Sequence, residues 1–404
     1  MDRTIVAQLN LTHEQKSILD RTMQEHTECF NAVCREGFEK GYSNGVELHK
    51  ATYYPLRAQF PELPAQLVCA ARVKATEAVK SALTWKRKHE VRYPQLVAKA
   101  KKQGKEPPPF KPVRCPHSEH APLRYDARSS WVKWETMTAS LATVDGRVVI
   151  PFTVPKHAMQ YVGGNVCSAD LCFHHGRYFL HIVVTLPDPI VALTSEVIGV
   201  DLGLNHPAVT SNKQFLGERR WKEQERRIFR LRRQLQAKGT KSAKRHLKKL
   251  SGKLLRQRKD HDHVLSKRIV ENSTPGSTIV LENLTNIRER ATQRKGVRQR
   301  RLHSWSFAQL YSFVEYKAEA KGVRVERVDP RHTSQTCSRC GYQARNNRRS
   351  QSLFLCRQCG YSLNADYNAS KNIREKHQAF LASIGTPFAG GSPSQAASRL
   401  HSSE

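Results

Sequence analysis

Acidic residues are scarce in this chain. Only 35 Asp and Glu stand against 68 Lys and Arg, leaving a net charge of +33, far more than solubility requires and pointing to a polyanionic partner, nucleic acid first. Long apolar runs are missing as well. No stretch of about eighteen hydrophobic residues is available to span a bilayer, and no long basic helix carries a Trp and Leu face for its surface. Residues 1–11 are polar throughout and lack the apolar core and small-residue cleavage site of a secretory signal, so the protein is expected inside the cell. There is no disulfide framework either: Cys29, Cys34, Cys69, Cys115, Cys167 and Cys172 are scattered, as in a reduced compartment, and read as small core residues. His117 and His120 after Cys115, and His174 and His175 after Cys172, do not form the two tight ligand pairs that a zinc site needs.

The other four cysteines are ordered differently. Cys337/Cys340 and Cys356/Cys359 are two Cys-x-x-Cys pairs fifteen residues apart, ending seven positions before Asp366. Four thiolates so spaced can close a tetrahedral shell around Zn²⁺. Gly341 and Gly360, one step after each pair, suit the tight turn of a metal knuckle. Redox pairs or two disulfides are the alternative. A structural zinc site anchors a module and does no chemistry, so activity has to be sought in its surroundings.

A length of 404 residues with 38% hydrophobic content allows two or three domains. Residues 6–11 alternate as a strand, and Thr12 followed by Gln15 is a capping box opening a helix. From there to about Lys102 the apolar spacing is helical, as in Leu67, Ala71, Ala75, Val79 and Leu83. Prolines then exclude regular structure from residue 104 to 122. The period next falls to two in residues 140–143, 148–154, 166–173 and 178–186, which predicts a small antiparallel barrel or sandwich that the first strand could complete. Beyond Pro187, residues 198–201 and 278–282 are apolar strands ending in a carboxylate, Asp201 and Glu282. Between them, residues 219–268 hold twenty Lys and Arg against four acids. Ile228, Leu231, Leu235, Leu247, Leu250 and Leu254 give this stretch narrow apolar stripes, and residues 239–242 supply a turn, so it reads as a basic helical pair. Cations in such excess repel one another unless an anion is present. A second cluster, residues 288–301, reads as a basic loop, and residues 385–404, rich in Gly, Ser, Pro and Ala, as a disordered tail.

A carboxylate at the end of a buried strand is costly unless something neutralises it. Asp201 and Glu282 occupy such positions, and Asp366 opens a helix. A cap or a salt bridge would explain one of them, but three clustered carboxylates suit a divalent cation. Hard oxygen donors with open positions favour Mg²⁺ or Mn²⁺, and two such ions about 4 Å apart can activate water for phosphodiester hydrolysis.

Four segments together carry a resemblance: Ile198-Gly-Val-Asp-Leu-Gly-Leu-Asn205, Val280-Leu-Glu-Asn-Leu284, Asp329-Pro-Arg-His-Thr-Ser-Gln-Thr-Cys-Ser-Arg-Cys-Gly341 and Asn364-Ala-Asp-Tyr-Asn-Ala-Ser-Lys-Asn-Ile373. In order and spacing the chain resembles the TnpB family of transposon-encoded RNA-guided endonucleases. The resemblance implies an α+β multidomain protein with an RNase H-like RuvC nuclease domain in residues 191–329 and 363–384. Asp201, Glu282 and Asp366 would be its catalytic, Mg²⁺- or Mn²⁺-binding residues. A zinc ribbon, residues 330–362, would hold Zn²⁺ through Cys337, Cys340, Cys356 and Cys359. Residues 1–11 and 104–190 would form an antiparallel wedge barrel interrupted by a helical lobe, residues 12–103. The implied partners are a guide RNA from the transposon end and double-stranded target DNA bearing a short adjacent motif. Tyr53, Tyr54, Arg72, Lys74 and Lys80 are candidates for that motif, and Arg226, Arg230, Arg233, Lys244 and Lys248 for backbone contacts. A monomer in the prokaryotic cytoplasm, drawn to the nucleoid, is expected. A catalytically silent RNA-guided regulator and a transposase acting on transposon-end DNA are the rival functions.

Overall fold

The computed structural model describes residues 1–42, 44–204, 206–285, 287, 305–350 and 352–383; the expected basic loop 288–301 and tail 385–404 lie outside them. The chain divides into two compact units, Met1–Pro187 and Asp188–Glu404.

In the first unit, strand β1 (Asp2–Leu9) leads into three helices, α1 (His13–Lys40), α2 (Gly45–Gln59) and α3 (Ala65–Lys102). The capping box forms: Thr12 Oγ1 accepts from the Gln15 amide at 3.2 Å, and Gln15 Oε1 accepts from the Thr12 amide at 3.1 Å. Six strands follow the irregular proline segment: β2 (Leu123–Tyr125), β3 (Ser130–Lys133), β4 (Thr138–Thr143), β5 (Gly146–Thr153), β6 (Asn165–His174) and β7 (Arg177–Thr185). The seven form one antiparallel sheet in the order β2-β6-β7-β1-β5-β4-β3. Strands β2 and β3 end that order on opposite sides, yet residues 126–129 alone join them, so the sheet has to curl into a near-closed barrel. Ile5, Leu141, Ile150 and Leu171 of the sheet share one buried core with Leu19, Met23, Leu67 and Val79 of the helices.

The scattered cysteines are not uniformly core residues. Cys29, Cys34 and Cys172 are buried, but Cys69 and Cys115 are half-buried and Cys167 is exposed.

The second unit holds a five-stranded sheet of β8 (Val197–Asp201), β9 (Ala208–Thr210), β10 (Phe215–Leu216), β11 (Thr278–Glu282) and β12 (Arg324–Val328), ordered β10-β9-β8-β11-β12. Strands β8, β11 and β12 run parallel, with β11 wholly buried between the others. The basic stretch forms two antiparallel helices, α4 (Arg219–Lys238) and α5 (Lys241–Glu271), closed by Gly239 and the capping Thr240, a tighter turn than residues 239–242. Ile228, Leu235, Leu250 and Leu254 bury the seam of this pair. Helix α6 (Phe307–Lys321), a short hairpin of β13 (Leu353–Leu355) and β14 (Ser362–Asn364), and helix α7 (Ala365–Ser383) complete the unit.

Strand periodicity then sorts the side chains. Ile198 and Val200 of β8, with Ile279 and Leu281 of β11, enter the core shared with Leu265 and Ile269 of α5 and Leu310 and Val314 of α6. The alternate residues, Gly199 with Asp201 and Val280 with Glu282, are left for the opposite face, where α7 packs. Gly199 is what admits α7, because a Cβ there would fall within 3.0 Å of backbone atoms of Ser370 and Arg374.

A carboxylate cluster beside a four-cysteine module

Glu282 follows Leu281 as Asp201 follows Val200, and Leu281 pairs with Val200 across the parallel ladder. The two acids therefore end neighbouring strands on the α7 face. Asp366 reaches them from the first turn of α7, which begins there because Asn364 Oδ1 accepts from the Asp366 and Tyr367 amides at 2.9 and 3.1 Å. Glu282 and Asp366 are both buried. Burial, followed by the neighbouring charges of Glu282 and Asp366, raises the Asp201 carboxyl well above its ordinary range, against the opposing pull of Arg348. Glu282 is pushed up to about 7, chiefly by burial, which outweighs the Thr333 hydrogen bond and the charges of Lys376 and Arg348. The structure thus brings Glu282 and Asp366 close enough to Asp201 for their charges to raise its carboxyl. Asp201 and Glu282 border a cleft of about 240 Å³ whose walls also include Asn283, Thr333, Ser334 and Arg348, the partner of Asp366.

Two residues of this site have no strand-end or ligand-pair signature. Thr333 Oγ1 donates to Glu282 Oε1 at 2.7 Å, and Arg348 Nη2 donates to Asp366 Oδ1 at 2.8 Å. Thr333 lies inside the segment Asp329 to Gly341, so a threonine there was visible without its role. Arg348, in the loop between the cysteine pairs, is one cation among many.

The four cysteine sulfurs lie within 4.8 Å of one another, the only such group of three or more ligand residues among the described ones. Cys337 Sγ is 3.8 Å from Cys359 Sγ, and Cys340 Sγ is 3.6 Å from Cys356 Sγ. A tetrahedral ion with Zn–S near 2.3 Å spaces its sulfurs roughly 3.8 Å apart. The cluster could therefore hold a zinc ion without rearrangement. Gly341 and Gly360 both take left-handed backbone, φ +75° and +68°, as the knuckle turns require. The module is tied to α7: Asn368 Nδ2 donates to the Thr336 carbonyl, and Asn372 Nδ2 to the carbonyls of Thr333 and Thr336, each at 2.7 Å.

These features have counterparts in other proteins. A family model described as "Probable transposase" matches residues 181–288, and one described as "Cas12f1-like, TNB domain" matches residues 307–373. A TnpB-like protein of Methanocaldococcus jannaschii is 35% identical over 133 residues, 33% of this chain and 47% of that one. The CRISPR-associated endodeoxyribonuclease Cas12f1 of Sulfoacidibacillus thermotolerans is 40% identical over 129 residues, 31% of this chain and 29% of that one. Over these segments the chain resembles TnpB-like and Cas12f proteins. It spans less than half the length of these two curated relatives. The solved structure of the mini-RNA-guided endonuclease CRISPR-Cas_phi3 superposes on 97% of this chain and 94% of its own at TM-score 0.52, with 12% identity, a likeness of fold.

The expected nucleic-acid contacts of this chain divide into two groups. Arg226, Arg230, Arg233, Lys244 and Lys248 are all exposed along the α4/α5 pair, and Tyr54 and Lys80 are exposed on α2 and α3. The others are engaged internally. Lys74 Nζ is 2.8 Å from Asp170 Oδ2 of β6, Arg72 donates to the Gly45 carbonyl at 3.3 Å, and Tyr53 stacks on His49 with ring centroids 4.6 Å apart. No helix among the described residues is long and apolar enough to cross a membrane.

Proposed function

We propose that this protein is an RNA-guided DNA endonuclease. A guide RNA from the transposon end pairs with one strand of double-stranded DNA beside a short adjacent motif, and a RuvC-type site in the second unit hydrolyses both strands. The observation that carries the reading is the convergence of Asp201, Glu282 and Asp366 on one buried face of a sheet in a chain of net charge +33. The intact acids favour cutting over silent binding.

Asp201, Glu282 and Asp366 are the residues that would hold Mg²⁺ or Mn²⁺. The fit lies in the donor set, which is all hard oxygen, in the burial that raises Asp201 and Glu282, and in the repulsion of Asp201 by its two acidic neighbours, which a divalent cation relieves. Such ions, when bound, supply an activated water and stabilise the leaving oxygen. Thr333 fixes the Glu282 carboxylate, and Asn364 fixes the start of the helix bearing Asp366. Zinc on Cys337, Cys340, Cys356 and Cys359 would make residues 330–362 a ribbon that orders the approach to Asp366. Exposed Arg226, Arg230, Arg233, Lys244 and Lys248 hold phosphate backbone without reading sequence, which base pairing specifies. The barrel with its helical lobe would hold the heteroduplex and the adjacent motif, the protein acting as a monomer in the cytoplasm.

Sequencing the nucleic acid that copurifies with the protein tests this. A single structured RNA ending in a variable segment supports the reading. Transposon-end DNA in its place would make the protein a transposase, and guided binding without Mg²⁺-dependent cutting would make it a regulator.

A further inference from the structure

We infer that Arg348 is a resident counter-cation of the carboxylate cluster, delivered by the cysteine module and exchanged for a divalent ion when one binds. The inference rests on the reading of Asp201, Glu282 and Asp366 as a metal site. Arg348 pairs with the buried Asp366, and its charge also acts on Asp201 and Glu282. A guanidinium paired with Asp366 and lining the same cleft as Asp201 and Glu282 lowers the net charge there and so opposes a second cation at these oxygens.

The position of Arg348 is imposed by the module and not by the sheet. It lies between the two cysteine pairs, and its backbone bridges to Phe354, a fully buried residue of that module. The preceding residue, Asn347, is also fully buried. Its Nδ2 donates to the carbonyls of Gln335 and Tyr342 at 3.0 and 3.1 Å, and its Oδ1 accepts from the Arg357 amide at 3.0 Å. A side chain held by three segments of one small module is aimed as that module is folded. The cysteine cluster thereby sets a charge at the cleft, in addition to ordering the chain that leads to Asp366.

The test is Mn²⁺ binding to the purified full chain by calorimetry, assigned to the cluster by its loss in Asp201→Asn. Arg348→Gln is expected to bind Mn²⁺ at least about tenfold more tightly than wild type, and Arg348→Lys to stay within about threefold of it. Arg348→Met, which keeps the aliphatic stem, repeats the measurement, and retained zinc content shows that the module is folded in each variant. Equal or weaker Mn²⁺ binding in folded Arg348→Gln and Arg348→Met overturns the inference while leaving the metal reading intact. Absence of Mn²⁺ binding in wild type and both variants overturns the two together.

Discussion

Gly199 of β8 lies directly against the backbone of Ser370 in α7, with no room for a side chain between them. That contact sets the distance between the strand ending in Asp201 and the helix beginning at Asp366. Gly199→Ala would force the helix away from the sheet. It is expected to destabilise the second unit by about 3 kcal/mol or more, since overpacking against backbone cannot be absorbed by rotamers. Gly252, in the middle of α5 with only the flexible end of Arg256 near its Cβ position, is the control. Gly252→Ala should stabilise by roughly 0.5–1 kcal/mol. Urea denaturation of the two variants checks both signs.

Acidity should stabilise the second unit when divalent ions are absent. Glu282 is raised from 4.5 to about 7 by burial, so the folded state holds its proton more tightly than the unfolded chain does. The resulting stability is complete below pH 4.5, is lost as pH climbs through about 7, and amounts to at most about 3 kcal/mol. Asp201, raised by burial and by its acidic neighbours, acts in the same direction. Denaturation midpoints measured between pH 5 and 8 on the zinc-loaded protein with no Mg²⁺ or Mn²⁺ added should fall, Glu282→Gln should flatten the decline, and Mg²⁺ should reverse it.

Zinc should be present at one ion per chain by elemental analysis. Its removal, or Cys356→Ser, is expected to unfold the module that holds Thr333 and Arg348, because structural zinc contributes on the order of 10 kcal/mol to small modules. Loss of hydrogen-exchange protection in residues 333–364, with the barrel of the first unit unaffected, is the expected pattern.

Neutralising the exposed cations of the α4/α5 pair should weaken nucleic-acid binding alike for all sequences. Each lost phosphate contact among Arg226, Arg230, Arg233, Lys244 and Lys248 should lower the salt slope of binding by about 0.9 on duplex DNA and about 0.7 on single strands. Lys74→Ala should instead cost stability, because Lys74 is held by Asp170 in the barrel. Anisotropy titrations at several salt concentrations separate the two behaviours.

The strands ending in Asp201 and Glu282 were legible because a buried parallel strand is a continuous apolar run, and a carboxylate closing it has few bland explanations. The capping box at Thr12 and the apolar seam of the α4/α5 pair were legible for the same reason: each is a local pattern. What escaped was non-local. Strands β2, β9 and β10, of three, three and two residues, are too short to show a period. Lys74 looked available for phosphate because its partner, Asp170, is 96 residues away. Thr333 and Arg348 reach the acids only through the fold of the cysteine module, and no spacing rule announces that.

Cleavage of guided plasmid DNA by Asp201→Ala bears most directly on the central claim. With its copurifying RNA bound and Mg²⁺ present, the wild-type protein should cut a plasmid carrying the matching target, and Asp201→Ala should bind the same RNA and DNA but leave the plasmid intact. Mg²⁺-dependent cutting that persists in Asp201→Ala would contradict the assignment of the chemistry to Asp201, Glu282 and Asp366.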